Sequence, residues 1–174
     1  IKRDITNLGR FHYRSGSTDV LGWVLEKASG KPLAKLISEY LWKPMGAEYD
    51  AFITVDESGF ALGSRGMNSA LRDLGRLGLL VMNKGMAFDR QVIPAEFIED
   101  LYAQPGDPYW PYESALEDQP YYRSFWWGEG NKERDLSGVG IHGQSLRVAS
   151  EAGIVIALYS SWPRADGDNN DQYW

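Results

Sequence analysis

Apolar residues recur at helical spacing through the first half of the chain. Val20, Leu21, Val24, Leu25 and Ala28 follow Ser17, Thr18 and Asp19, and Gly30 stands where such a helix would stop. The pattern predicts a helix over 17–29, with oxygen-bearing residues at its start and glycine at its end. Pro32 suits the first turn of a second helix reaching Leu41, striped by Leu33, Leu36, Ile37, Tyr40 and Leu41. Pro44-Met45-Gly46 turns the chain, and the polar, Gly-rich stretch to Met67 reads as loop with short strands. A third helix is predicted from Ser69 to Asn83 on Leu71, Leu74, Leu77 and Leu80 or Val81. A fourth runs from Pro94 to Ala103 on Phe97, Ile98 and Leu101.

From Gln104 to Tyr122 no period persists. Prolines and aromatics alternate with acids, among them Tyr109, Trp110 and Tyr112. Two readings stand side by side: a long functional surface loop, or a partly disordered insertion. The remainder reads as strands: 124–128 with Phe125-Trp126-Trp127, then 137–143, then Leu146 to Ala149, then Ile154 to Tyr159 after the Glu151-Ala152-Gly153 turn. The last run is almost wholly apolar and reads as a central strand. Helices precede strands in blocks, so the class is α+β, with a mainly helical part to 103, a loop over 104–122 and sheet strands over 123–162.

Composition narrows the chemistry. The chain has 174 residues, 43% of them apolar, and a net charge of −6. It is long enough for one domain or part of a larger one, and gives no electrostatic reason to expect nucleic acid as a partner. No apolar run approaches a membrane span. With no Cys and two His, a disulfide framework, a cysteine nucleophile and a multi-histidine metal site all fall away, and no cofactor is expected. None of this fixes the compartment. The chain begins at Ile1 without Met and stops at Trp174 where a new element could begin, so both ends are expected to be cuts inside a longer protein.

Tyr13 and Ser15 are expected in the loop leading into the first helix, where side chains can be held firmly yet face a cleft. Tyr13 could equally just pack beside that helix. Tyr13-Arg14-Ser15 before "STDVLGWVLEKASGKPL", then "LWKPMGA", "GSRGMNSALRDLGRLGLLVMNKG", and "GIHGQ" before "LRVASEAGIVIALYSS" together resemble the serine β-lactamase superfamily. Within it the Tyr-x-Ser form and "GIHGQ" are most similar to the 6-aminohexanoate-dimer hydrolase and carboxylesterase branch. The weight rests on motif order and spacing over most of the chain.

The resemblance implies an antiparallel sheet flanked by helices, beside a helical region, with the site between them. It also implies three catalytic elements: a Ser-x-x-Lys nucleophile and base, a Tyr loop that relays a proton, and a Lys-Thr-Gly-like strand forming the opposite wall. Here Tyr13 and Ser15 supply the second. The third falls best on Ile141-His142-Gly143, with the Lys replaced, which argues against an efficient β-lactamase or penicillin-binding protein. The first is absent. Ser69-Ala70-Leu71-Arg72 is the nearest approach, and a guanidinium does not surrender its proton in this range.

The resemblance therefore implies a serine hydrolase that acts by acyl transfer on a small linear amide or ester, with its Ser and Lys upstream of Ile1. The missing N-terminal part becomes the chain's partner, and the isolated chain is expected to be inactive. Tyr13 would donate a proton to the leaving group, and Ser15 would bond the cationic Lys. His142, in the wall, would hydrogen-bond near the nucleophile, contact substrate or be a satisfied structural histidine; Gly143 would let backbone approach the substrate, and the Gln144 N–H would serve the oxyanion. Tyr109, Trp110, Tyr112 and Trp127 could line a pocket for an apolar chain. Two other functions remain: a β-lactamase or D-alanyl peptidase, and a non-catalytic binding or regulatory relative of the same fold.

Overall fold

The amphipathic pattern after Ser15 folds as α1, Gly16–Ser29, in the computed structural model, which describes residues 13–103, 120–130 and 132–165. Gly30 closes it in the left-handed conformation, φ 68°, with its N–H on Glu26 O. The expected caps do something else. The first turn has no side-chain cap; Asp19 instead accepts hydrogen bonds from Ser64 N (2.8 Å) and Ser64 Oγ (2.9 Å), tying α1 to a later loop. The second helix divides into α2, Leu33–Ile37, and a π-helical turn, Ser38–Trp42. The wider turn, with Lys43 N–H on Ser38 O, accompanies a buried Trp42 packed with Met45 and Leu80.

Two short antiparallel pairs follow, β1 (Phe52–Ile53) with β2 (Met67–Asn68), and β3 (Met86–Ala87) with β4 (Arg90–Gln91). Between them α3, Leu71–Met82, carries a stronger amphipathic stripe than α1. Asp73 in its first turn is fully buried and accepts from Glu48 N (2.8 Å), Tyr49 N (3.1 Å) and Arg76 Nη1 (2.8 Å). Those bonds fix the 44–50 turn to the helix. α4, Ala95–Leu101, buries Ile98 and Leu101. It is clamped to the sheet by Arg123 on Asp100, Arg134 on Glu99 and the Tyr102–Ser150 hydroxyl pair.

The main sheet has five antiparallel strands: β5 (Tyr121–Arg123), β6 (Trp126–Gly128), β7 (Asp135–Gly140), β8 (Gln144–Ala149) and β9 (Ile154–Leu158), ordered β5-β6-β7-β8-β9. Strand alternation divides it into two faces. Tyr121, Leu136, Leu146 and Val148 point inward onto Val81, Ile98 and Leu101, with Trp126 and Val155 packed alongside. Gly78 lets α3 approach this face, since a Cβ there would run into Val155 and Leu146. On the outer face Ile154, Ile156 and Val139 remain 51%, 52% and 65% exposed.

The α+β class and the helix order agree with expectation. Two strand assignments need correction. Tyr121 and Tyr122, read as the end of a loop, form β5; residues 104–119, with Tyr109, Trp110 and Tyr112, lie outside the described residues. β9, read as central, is the terminal strand of the sheet among the described residues. Its run is apolar on both faces, but only Val155 and Ala157 meet the core, leaving the Ile154, Ile156 and Leu158 row open.

Candidate active site

Tyr13, just ahead of α1, packs on the outer face of the β5–β6 hairpin. Its ring stacks on Trp127 at 5.9 Å with an interplanar angle of 22°, and meets Tyr122 edge-on at 5.7 Å and 73°. Tyr122 and Trp127 are direct cross-strand partners with ring centroids 4.6 Å apart. Alternation explains the arrangement: Tyr121 and Trp126 turn into the core, so Tyr122 and Trp127 must turn out. Tyr13 remains 53% exposed, held from one side. Burial, then the nearby Tyr13, raise the Tyr122 pKa, keeping that phenol neutral. Ser15 is exposed at the start of α1, and its carbonyl accepts from Thr18 N.

The other predicted wall lies at the β7–β8 connection. Ile141–Gly143 form a single 3-10 turn rather than a strand. Trp127 pairs with Ser137 and Gly128 with Leu136, so the Ser124-Phe125 turn and the Ile141–Gly143 turn project from the same end of the sheet. Along β7, Gly140 lies about 10 Å beyond the Trp127 row. Phe125, Val139 and Ile141 are exposed at this end.

His142 adopts a left-handed backbone conformation, φ 59°, and three bonds hold it there. Its N–H donates to Ala165 O, its carbonyl accepts from Trp162 N, and its ring Nδ1 lies 2.7 Å from Trp162 O. A carbonyl only accepts, so Nδ1 carries the proton. Gly143 has φ 81°, and its Cβ position is filled by the indole of Trp162, so the missing side chain makes room for that ring. The Gln144 N–H bonds Ile141 O within the turn, and an oxyanion would have to displace that bond. The Gln144 side chain clasps Ser160 through both N–H···O directions.

Residues 7–174 match the family model described as Beta-lactamase. The chain belongs to the beta-lactamase family. It is 37% identical over 161 residues to the 6-aminohexanoate-dimer hydrolase of Paenarthrobacter ureafaciens, covering 91% of this chain and 41% of that protein. A solved structure from Bacillus anthracis, assigned as a 6-aminohexanoate-dimer hydrolase, superposes with a TM-score of 0.81 at 30% identity. That match covers 94% of this chain and 41% of the other. A second, from Bacteroides dorei and assigned as a beta-lactamase, has a TM-score of 0.65 at 18% identity, over 87% of this chain and 52% of the other; it speaks to fold alone. The chain thus spans 41% of the length of each of the two 6-aminohexanoate-dimer hydrolases it matches.

Within this beta-lactamase-family fold the structure stacks Tyr13 on Trp127, whose row meets Ser137 part-way along β7, and the His142 turn follows the end of that strand. Tyr122 and Trp162 were missed. Tyr122 was hidden in the aromatic stretch, although Tyr-Arg-Ser-Phe-Trp-Trp is a hairpin in which Tyr122 and Trp127 face each other across the strands. Trp162 follows the last strand and carries no local signal. Ser69, the nearest approach to a Ser-x-x-Lys, bonds Tyr159 through its hydroxyl at 2.6 Å. Arg147, in the same cross-strand row as Trp127, is held charged first by its bond to Asp135 (2.6 Å), with burial working against it. Among the described residues no cluster of three or more His, Cys, Asp or Glu could hold a metal ion. Nor is any helix among them long and apolar enough to cross a membrane.

Proposed function

We propose that this chain forms the Tyr-loop and sheet side of a serine hydrolase acting on linear amides or esters, whose nucleophilic Ser and Lys base lie outside these 174 residues. The observation that carries it is Tyr13, with its ring fixed on Trp127 and Tyr122 and one side open. A phenol so placed suits proton relay, because its orientation is set before substrate arrives.

In this mechanism the Ser oxygen attacks the substrate carbonyl carbon and its proton passes to the base. The tetrahedral intermediate collapses as the C–N or C–O bond breaks, and Tyr13 delivers a proton to the departing amine or alcohol while taking one back from the protonated base. Water then attacks the acyl-enzyme, giving up a proton along the same route, and the acid leaves with Ser restored. Ser15, exposed beside Tyr13, is available to the cationic Lys. Exposed Phe125, Val139 and Ile141 offer apolar surface to a methylene chain. The relatives' names support a linear amide as substrate.

The test compares the full-length protein with the isolated 174-residue chain on a linear amide dimer, a short-chain ester and a chromogenic cephalosporin. Turnover of amide or ester by the full-length protein alone, and by the isolated chain only once the remaining segment is added, is the expected result. Turnover by the isolated chain would mean that a nucleophile lies within it. A full-length protein that prefers the cephalosporin would overturn the substrate class.

A further inference from the structure

His142 has more structure around it than a hairpin turn requires. A tight turn at this position would be easiest with Gly or Asn, yet an imidazole is held at φ 59° by two backbone bonds and one ring bond to the 162–165 segment. The ring bond fixes chemistry as well as position. Because Trp162 O accepts from Nδ1, the neutral ring carries its lone pair on Nε2. Among the described residues Nε2 has no hydrogen-bond partner. The ring is half-buried between exposed Ile141 and buried Gly143, at the end of the sheet that carries Phe125 and Val139, about 10 Å along β7 from the row under Tyr13. An acceptor fixed in this way suits a ligand donor.

We propose that His142 is a specificity residue of the hydrolase site: its Nε2 accepts a hydrogen bond from an N–H of the substrate, either the scissile amide or an ammonium further along the chain. This rests on the serine-hydrolase reading above. It adds a physical reason for amide over ester, since an ester oxygen brings no donor and leaves Nε2 unpaired.

The experiment uses the full-length enzyme and His142→Asn. Asn tolerates left-handed φ, and its amide N–H reproduces the Nδ1 bond to Trp162 O, while nothing replaces Nε2. Three substrates of equal chain length are compared: an amide with a terminal ammonium, an amide with a terminal methyl, and an ester with a terminal methyl. The readout is the ratio of kcat/KM on each amide to that on the ester, which does not depend on the fraction of enzyme folded.

His142→Asn is expected to lower at least one ratio about tenfold, the effect of one hydrogen bond to an N–H donor. A fall for both amides assigns the donor to the scissile N–H, and a fall only for the ammonium substrate assigns it to the chain end. Ratios unchanged within about twofold, with all three rates falling together, would overturn the role and leave His142 a turn residue. Failure of the wild-type enzyme to hydrolyse any of the three would overturn the serine-hydrolase reading itself, and this role with it.

Discussion

Replacing Tyr13 with Phe separates the hydroxyl from the ring that carries it. The ring's contacts are the stack on Trp127 at 5.9 Å and the edge contact with Tyr122 at 5.7 Å, and Phe retains both. Such aromatic pairs contribute about 0.5–1.5 kcal/mol each beyond buried area. Since Tyr13 is 53% exposed, the lower half of that range applies, and the two together hold the loop by about 1–2 kcal/mol. Tyr13→Ala gives up that hold; Tyr13→Phe does not. A positioned proton donor accounts for ~10²–10⁴ in rate. In the full-length enzyme Tyr13→Phe should therefore lower kcat by ~10²–10⁴ while KM stays within about threefold. Tyr13→Ala should match that loss and also raise KM by about tenfold as the loop is released. Amine release from a linear amide, followed at initial rate over a range of substrate concentrations, separates the two parameters. A Tyr13→Phe enzyme that keeps kcat within about threefold would remove the hydroxyl from the chemistry and leave Tyr13 as packing for the β5–β6 hairpin.

The other predictions concern the frame that positions this loop. Asp73→Asn sets an amide N–H₂ against donors that now bond a buried carboxylate; it should cost about 2–3 kcal/mol, read as a lower urea midpoint at unchanged slope. Burial pushes the Asp73 pKa up, but the Glu48 and Tyr49 N–H groups and Arg76 outweigh it and hold it below the ordinary 3.8. The stability this lends is complete above that value and is lost as pH falls through the lower folded-state pKa. Wild type should therefore lose stability below pH 3.8 more steeply than Asp73→Asn, and parallel acid curves would refute the assignment. Gly78→Ala gains about 1 kcal/mol of helix propensity, yet its Cβ meets Val155 and Leu146. Overpacking of about 1–3 kcal/mol should win, and a raised thermal midpoint would show that α3 moves aside freely.

Much of the fold is legible because local rules and tertiary structure agree. α1, α3 and α4 follow a 3.6-residue apolar period between recognisable stops, and their ends lie within a few residues of expectation. The misreadings share a physical origin. In Ile154–Leu158 an apolar residue on the outer face looks in sequence like one in the core, because the pattern records hydrophobicity and not what covers it. β5 was concealed because two aromatics after Pro120 carry a strand signal only once their partners in β6 are known. Tyr13 on Trp127, and His142 on Trp162, are contacts between distant segments. Order and spacing of motifs pointed to the residues, but not to which ring lies on which, or which imidazole nitrogen bears the proton.

The open outer face and the candidate site are parts of one surface. Register runs Tyr122, Trp127, Ser137, Arg147, Ile156 straight across the sheet, so the aromatic platform under Tyr13 begins the row in which exposed Ile156 ends. Ile154 and Leu158 flank that end, and covering half-exposed aliphatic side chains is worth about 1 kcal/mol each. Packing added on this row would stiffen the strands that hold Trp127 and lead into the His142 turn. A sheet left open there keeps its inward core of Leu136, Leu146 and Val148, but its outer row has less to hold it in place. Geometry at Tyr13 and stability of the outer face should therefore respond together. The aromatic platform and the exposed Ile156 share one row of paired strands, so a substitution that loosens the row at Ile156 is expected to loosen the hold on the Tyr13 ring as well.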